Sequence, residues 1–257
     1  MEHKIQPLIP GNLEGLEEIA RQLLEGIPPE NTGDDEESHG EVGLKSNTDF
    51  WTISGVNYRN RVHKVDLSKS LLDNGNSKTQ DKWVEYSKSA KQRNDFYTGD
   101  FPLYHALFRA LFFGKDSSDK DKVEEARAFL EKQFKEKWLM TLSRVRYMPS
   151  GKDIVIHNFG MPDKIEIPED FVGKNEWVKD SKTPQVYNTL LGSNNVQEIN
   201  QIYSWITKKP AYLYRINSKQ QGIDERVARF DAYSGGAVLY CYWDPSYTSS
   251  SLGVRVN

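Results

Sequence analysis

The chain has 257 residues, enough for one large domain or two modest ones. Its net charge of −3 provides no strong positive field to draw phosphates, which excludes a general nucleic-acid binder. Mean hydropathy is −0.71 and no apolar run approaches the length that crosses a bilayer, so no membrane insertion is expected. The start, Met1-Glu-His-Lys-Ile-Gln-Pro7, lacks a basic segment followed by an apolar one, so no secretory signal is expected either. The one cysteine, Cys241, allows no intramolecular disulfide and no thiolate metal cluster, and in an alternating segment it reads as a small core residue.

In chain order, residues 1–27 carry an amphipathic helix. Asn12 can cap it, Leu13, Leu16, Ile19, Ala20, Leu23, Leu24 and Ile27 share a face, and Pro28-Pro29 ends it. Residues 28–48 read as an acidic flexible linker, because Glu30 to Glu41 holds almost nothing to bury. Residues 49–138 form a mixed segment. Phe50–Ser54 and Asn57–Val65 are aromatic and β-branched enough for two strands, and Asp73–Ser77 is a turn. Lys82–Lys91 and Pro102–Phe113 read as helices, the second carrying Leu103, Leu107 and Leu111. Ser118 is expected to cap a third helix, whose buried stripe is Val123, Ala126, Leu130, Phe134 and Trp138.

From Leu139 the period changes from helical to alternating. Leu139–Tyr147 and Asp153–Phe159 read as strands around a Pro149-Ser-Gly-Lys152 turn. After a loop-rich stretch come a short helix at Val186–Leu191, ended by Gly192, and a helix at Val196–Ile206 capped by Asn195. Ala211–Asn217, Arg226–Phe230, Val238–Trp243 and Leu252–Val256 are strand-like. Helices and strands in separate runs make the fold class α+β rather than repeated βαβ units.

The C-terminal stretch has a composition of its own. From Phe230 onward there is no Lys, Glu or Gln, and Tyr, Ser, Gly, Ala, Asp and Thr take their place. Antibody paratopes use the same mixture, with stiff, amphipathic Tyr for contact area and small polar residues for adaptable hydrogen bonding. Within Leu239–Asp244, strict alternation puts Leu239, Cys241 and Trp243 on a core face, and Tyr240, Tyr242 and Asp244 on the opposite one. The candidate ligand-binding residues are therefore Asp231, Ala232, Tyr233, Ser234, Gly235, Gly236, Tyr240, Tyr242, Asp244, Tyr247, Thr248 and Ser249.

The segment Tyr242-Trp-Asp-Pro-Ser-Tyr-Thr-Ser-Ser-Ser-Leu-Gly-Val-Arg255 resembles the C-terminal variable region of diversity-generating retroelement variable proteins. These proteins display hypermutated residues on a C-type-lectin fold and end in a motif like Leu/Ile/Phe-Gly-x-Arg. The likeness is to the branch related to the formylglycine-generating enzyme, archaeal members in particular. It covers this segment well and the element order of 139–257 loosely.

The resemblance implies a C-type-lectin-like fold in the C-terminal half, with residues 49–138 as an α/β elaboration of the same domain or a unit beside it. It implies a variable region at 229–257 and a non-enzymatic role in binding a protein or surface glycan, with no cofactor. In such elements adenines of AAC or AAT codons are replaced, which never yields Lys, Glu, Gln, Met or Trp. Every candidate residue above is reachable. Trp243 is not, so it belongs to the scaffold, and by similarity so do Pro245, Ser246 and Leu252–Asn257.

Rival readings are an enzyme and a calcium lectin. Enzymes on this fold that oxidise a substrate cysteine use a pair of cysteines, and this chain has one. Trp243-Asp-Pro-Ser246 offers a single carboxylate, too little for lectin-type calcium binding, so no metal is expected. Asp153 and His157 share a strand face near Arg144, Arg146 and Asn158, which could orient an imidazole, but no nucleophile stands at a recognisable spacing. Replacing Tyr240, Tyr242 and Tyr247 by Ala is expected to abolish binding and leave thermal stability nearly unchanged.

Overall fold

One strand explains most of the architecture. In the computed structural model, which describes residues 42–233 and 236–257, Phe230 is the meeting point of the core. Its ring lies 4.6 Å from Phe101, 5.2 Å from Phe134, 5.7 Å from Phe108, 6.0 Å from Tyr104 and 6.1 Å from Tyr203. Those partners come from three helices. They are α2 (Phe101–Phe113), α3 (Lys120–Glu136) and α5 (Val196–Thr207), accompanied by α1 (Gln80–Gln92) and the short α4 (Pro184–Leu191). Tilted and edge-on aromatic packing of this kind adds to plain area burial. The described residues belong to one compact unit.

Two sheets frame the helices. The larger has seven strands in the order β6-β5-β4-β9-β10-β8-β7, spanning Ile165–Glu169, Asp153–His157, Leu139–Tyr147, Asp224–Tyr233, Gly236–Trp243, Tyr212–Tyr214 and Glu176–Trp177. Neighbours are antiparallel except β8 and β10, which run parallel. The smaller sheet has the order β1-β2-β3-β11, spanning Leu44–Ser46, Phe50–Tyr58, Arg61–Leu71 and Leu252–Val256. The pairing of β11 with β3 joins the first described segment to the last, so residues 49–138 are built into the same unit as 139–257. Helices and strands are present in separate runs, an α+β arrangement.

Local sequence signals act where expected. Asp100 caps α2 by accepting from Leu103 N at 2.9 Å, Asn195 caps α5 by accepting from Glu198 N at 3.0 Å, and Thr79 caps α1. Gly192 closes α4 at φ 76°, a left-handed position that suits glycine.

Several expectations need correcting. The helix at 1–27 and the acidic stretch up to residue 41 lie outside the described residues. The 28–48 linker reading also included Leu44–Ser46, which instead pairs with β2 and buries Leu44. Asn57–Val65 is not one strand, because Arg59 and Asn60 both take positive φ (52° and 58°) and turn a two-residue hairpin. Ser118 does not cap α3, which starts at Lys120 after Asp119. That helix stops at Glu136, so Trp138 falls beyond the buried stripe and is 48% exposed. The strand from Asp153 ends at His157, where Asn158 takes φ 49°.

Candidate functional site

The seven-stranded sheet has an inner face against α2, α3 and α5, and an outer face treated in two ways. Over β4 and β9 it is covered: Trp83 and Val84 of α1 pack with Met140, Leu142, Met161 and Val227. Over β10, β8 and β7 no such cluster covers it among the described residues, and aromatic side chains stand in a row. Trp177 meets Tyr212 edge-on at 5.0 Å. Tyr214 and Tyr240, directly paired across the parallel β8–β10 ladder, stack at 4.8 Å with rings only 3° from parallel. Tyr242 lies 6.2 Å from Tyr214 and has the Arg226 guanidinium 4.6 Å over its ring. Trp177, Tyr242 and Tyr247 are 40%, 39% and 58% exposed, large apolar areas that a monomer does not need for folding.

Between the covered and open parts sits Arg229. Its guanidinium lies 3.2 Å from the Trp243 ring centroid, 4.5 Å from Trp138 and 5.3 Å from Tyr240. Nη1 donates to Ser249 Oγ at 3.0 Å and Nη2 to Asp231 Oδ2 at 3.3 Å. Burial pulls its pKa down to about 10, opposed by the neighbouring Asp231 carboxylate, so it stays charged at neutral pH. A buried cation held by ring faces fixes Trp243, Trp138 and Tyr240 at the edge of the open area. Neighbouring residues on β9 thus have opposite roles, Phe230 centring the core and Arg229 anchoring the surface.

A bulge in β10 sets which side chains reach that surface. Tyr240 pairs with Arg229 and Trp243 with Val227, so β10 spends one residue more than β9 over this interval. The extra residue reverses the parity of alternation. Leu239 and Cys241 stay on the inner face, both fully buried, but Trp243 turns outward to Tyr240, Tyr247 and Trp138. The expectation that Trp243 shares the core face of Leu239 and Cys241 is corrected on this point. Strict alternation cannot anticipate an inserted residue. Burial pushes the Cys241 thiol well up, which suits a packing residue rather than a nucleophile.

The other sequence-proposed residues divide. Tyr242, Tyr247 and Thr248 are exposed, and Tyr240 is half-buried under its stacking partners. Asp244 is half-exposed, and its Oδ1 accepts from Ser246 N at 2.8 Å and Oγ at 2.6 Å, which pins the loop after β10 and holds the carboxyl low. Asp231 is nearly buried and bonded to Arg229. Ser249 is a second correction. It is 1% exposed, pairs with Lys78 through its backbone, and accepts from Trp83 Nε1 at 2.8 Å. It is part of the stitching between α1 and the chain's end, because its backbone has a strand partner. Ser250 and Ser251 continue that stitching toward Gly75 and Met140. Ser234 and Gly235, and the side chains of Ala232, Tyr233 and Gly236, lie outside the described residues.

Residues missed in the sequence are Trp138, Trp177, Tyr212, Tyr214, Arg226 and Arg229. The alternation of Tyr212-Leu213-Tyr214, with Leu213 buried, was the available signal for two of them.

The rival Asp153–His157 pair does not form. Asp153 accepts from the backbone N–H groups of Met148, Phe171 and Val172 and from Lys219 Nζ. His157 Nε2 lies 2.8 Å from the Thr189 carbonyl, so Nε2 carries the proton and Nδ1 accepts from Ser143 Oγ at 2.9 Å. His157 is 3% and Ser143 0% exposed, and burial lowers the imidazole pKa. A sealed Ser–His pair of this kind holds strands together. Arg144 is committed to Gln80, Asp81 and Glu225, and Arg146 to Glu225.

No protein-family model, no curated protein and no solved structure matches this chain.

Proposed function

We propose that the chain is a non-enzymatic, hypervariable ligand-binding protein of a diversity-generating retroelement. It displays the open half of the seven-stranded sheet, from Tyr240 to Thr248 with the neighbouring Tyr212 and Tyr214, on a C-type-lectin-like scaffold. The ligand is a protein or surface glycan of a partner cell. One observation carries the reading: along β10 Tyr240 and Tyr242 stand on the outer side of the sheet, while Leu239 and Cys241 are sealed beneath. Side chains in such an arrangement can change without touching the core, which is what a surface under rapid variation requires.

The test is genomic. The coding DNA for 229–257 should have a nearby near-copy, adenine-rich wherever the two differ, beside a reverse-transcriptase gene. Differences should fall on Tyr240, Tyr242, Asp244, Tyr247 and Thr248 and spare Phe230, Leu239, Cys241 and Trp243. Absence of any such copy, or differences scattered over the buried positions, removes the retroelement reading.

A fixed binding module on the same scaffold is the second reading. Trp177, Tyr212 and Tyr214 favour it, since they extend the aromatic row outside the segment open to variation. Binding that survives loss of Tyr242 and Tyr247 but not of Trp177 and Tyr212 would select it.

A further inference from the structure

A second concave site lies away from the aromatic row. It opens where the β2–β3 hairpin, the C-terminal turn of α1, the segment after β5 and the end of β11 converge. The cavity holds about 430 Å³, within the size range of small-molecule pockets. Arg59, Arg61, His63 and Lys91 line it, with the buried faces of Tyr97 and Leu103 as its apolar floor.

The charges are unbalanced. Arg59, Arg61 and Lys91 bring three basic side chains, and among the described residues the carboxylates paired with them are Asp163 on the rim and Asp100 behind the wall. Those carboxylates are already engaged. Asp163 takes Arg59 at 3.3 Å, Lys91 at 3.8 Å and Asn158 Nδ2 at 2.8 Å. Asp100 accepts from Tyr58 OH at 2.9 Å and from Leu103 N. Arg61 is exposed and has no ion pair among the described residues. Arg59 Nη2 is buried with no hydrogen-bond partner among them, and stands 3.6 Å from Asp100 Oδ2. In a chain of net charge −3, a cavity with surplus cations is a local reversal.

The backbone is also out of the ordinary here. Arg59 and Asn158 both line the cavity at positive φ, 52° and 49°, conformations that non-glycine residues adopt at a cost. The tight hairpin holds Arg59 and Arg61 on either side of Asn60, at one wall of the cleft.

We propose that this cavity binds a small phosphorylated organic molecule. A phosphate presents three acceptor oxygens, matching the Arg61 fork and the His63 imidazole on β3 and Lys91 on α1. Tyr97 and Leu103 take the organic part. An inorganic ion alone would leave most of the volume unfilled. The site is independent of the aromatic face.

The test is isothermal titration of the full chain at about 50 mM NaCl, where screening is moderate. Glycerol 3-phosphate and adenosine 5′-monophosphate are the main probes, with inorganic phosphate and citrate alongside. A phosphomonoester should bind saturably at one site and more tightly than inorganic phosphate or citrate. Arg61→Ala and Lys91→Ala should each weaken it about tenfold or more, the loss expected for a charge-assisted hydrogen bond. Tyr247→Ala and Arg226→Ala, on the other face, should leave it unchanged. Arg61 is exposed, so its variant keeps the test valid even if Lys91→Ala does not fold. No saturable phosphomonoester binding, tighter citrate binding, or affinity unmoved in Arg61→Ala each overturns the proposal.

Discussion

The two halves of the outer sheet face are made of similar residues put to different use. Over β4 and β9, Trp83 is fully buried, roofed by its own helix and anchored by its Nε1 to the Ser249 carbonyl. Over β10 and β8, Tyr240, Tyr242 and Tyr214 lie on the same sheet with no helix of the described residues above, and Trp177 and Tyr247 stand exposed at the ends. An aromatic residue therefore does not declare its role by type or by strand. The presence or absence of α1 decides it. Beneath both halves runs a common inner face, centred on Phe230, that does not distinguish them.

That contrast can be broken or sharpened by substitution. The largest effects belong to covered aromatics: Trp83→Ala and Phe230→Ala should each cost about 3–5 kcal/mol, read from urea midpoints. A cost below about 1 kcal/mol for Trp83 would mean that α1 is not a true roof.

A smaller effect tests the inner face. His105 on α2 is buried, stacks on Tyr203 at 5.8 Å, and both its ring nitrogens have no hydrogen-bond partner among the described residues. Burial, aided by nearby Arg109, drops its pKa from 6.5 to about 3. Between those values the unfolded chain binds the proton and the folded chain does not. Stability contributed by the neutral imidazole is thus complete above pH 6.5 and falls as pH drops toward 3. From pH 6.5 to 5 the loss should be about 2 kcal/mol, and His105→Phe should flatten that part of the profile.

The smallest effects belong to the open half. Tyr242→Ala and Tyr247→Ala should move stability by no more than about 0.5 kcal/mol, a melting shift of about 1–2 °C. Tyr240→Ala should cost more, about 1–2 kcal/mol, because it stacks on Tyr214 and roofs Arg229. This revises the expectation that all three tyrosines are thermally silent. A shift of many degrees at Tyr242 or Tyr247 would erase the difference between the halves.

Much of this is legible in the sequence. Periodicity located the helices carrying Leu107, Leu130 and Ile199, and the caps at Asn195 and Gly192, because those signals are local. The outward placement of Tyr240 and the burial of Leu239 and Cys241 follow from plain alternation. Trp243, Trp138 and Ser249 were misplaced for non-local reasons. A bulge reverses one, a helix end frees another, and pairing with Lys78 buries the third. Tyr214 could not be joined to Tyr240 from sequence, since their contact depends on a parallel pairing across residues 215–235.

The bulge between Tyr240 and Trp243 has a consequence for how this segment can drift. Exchanging one side chain for another there leaves the count of residues, and so the facing of every neighbour, unchanged. Removing a single residue would restore strict pairing with β9 and leave Trp243 outward, two places after Tyr240, but the one residue left between them would face inward, so the surface would lose the position held by Tyr242. The strand is permissive about letters and strict about length. Related sequences built on it should differ by substitution between these two positions, with insertions and deletions displaced to the loop beyond Asp244.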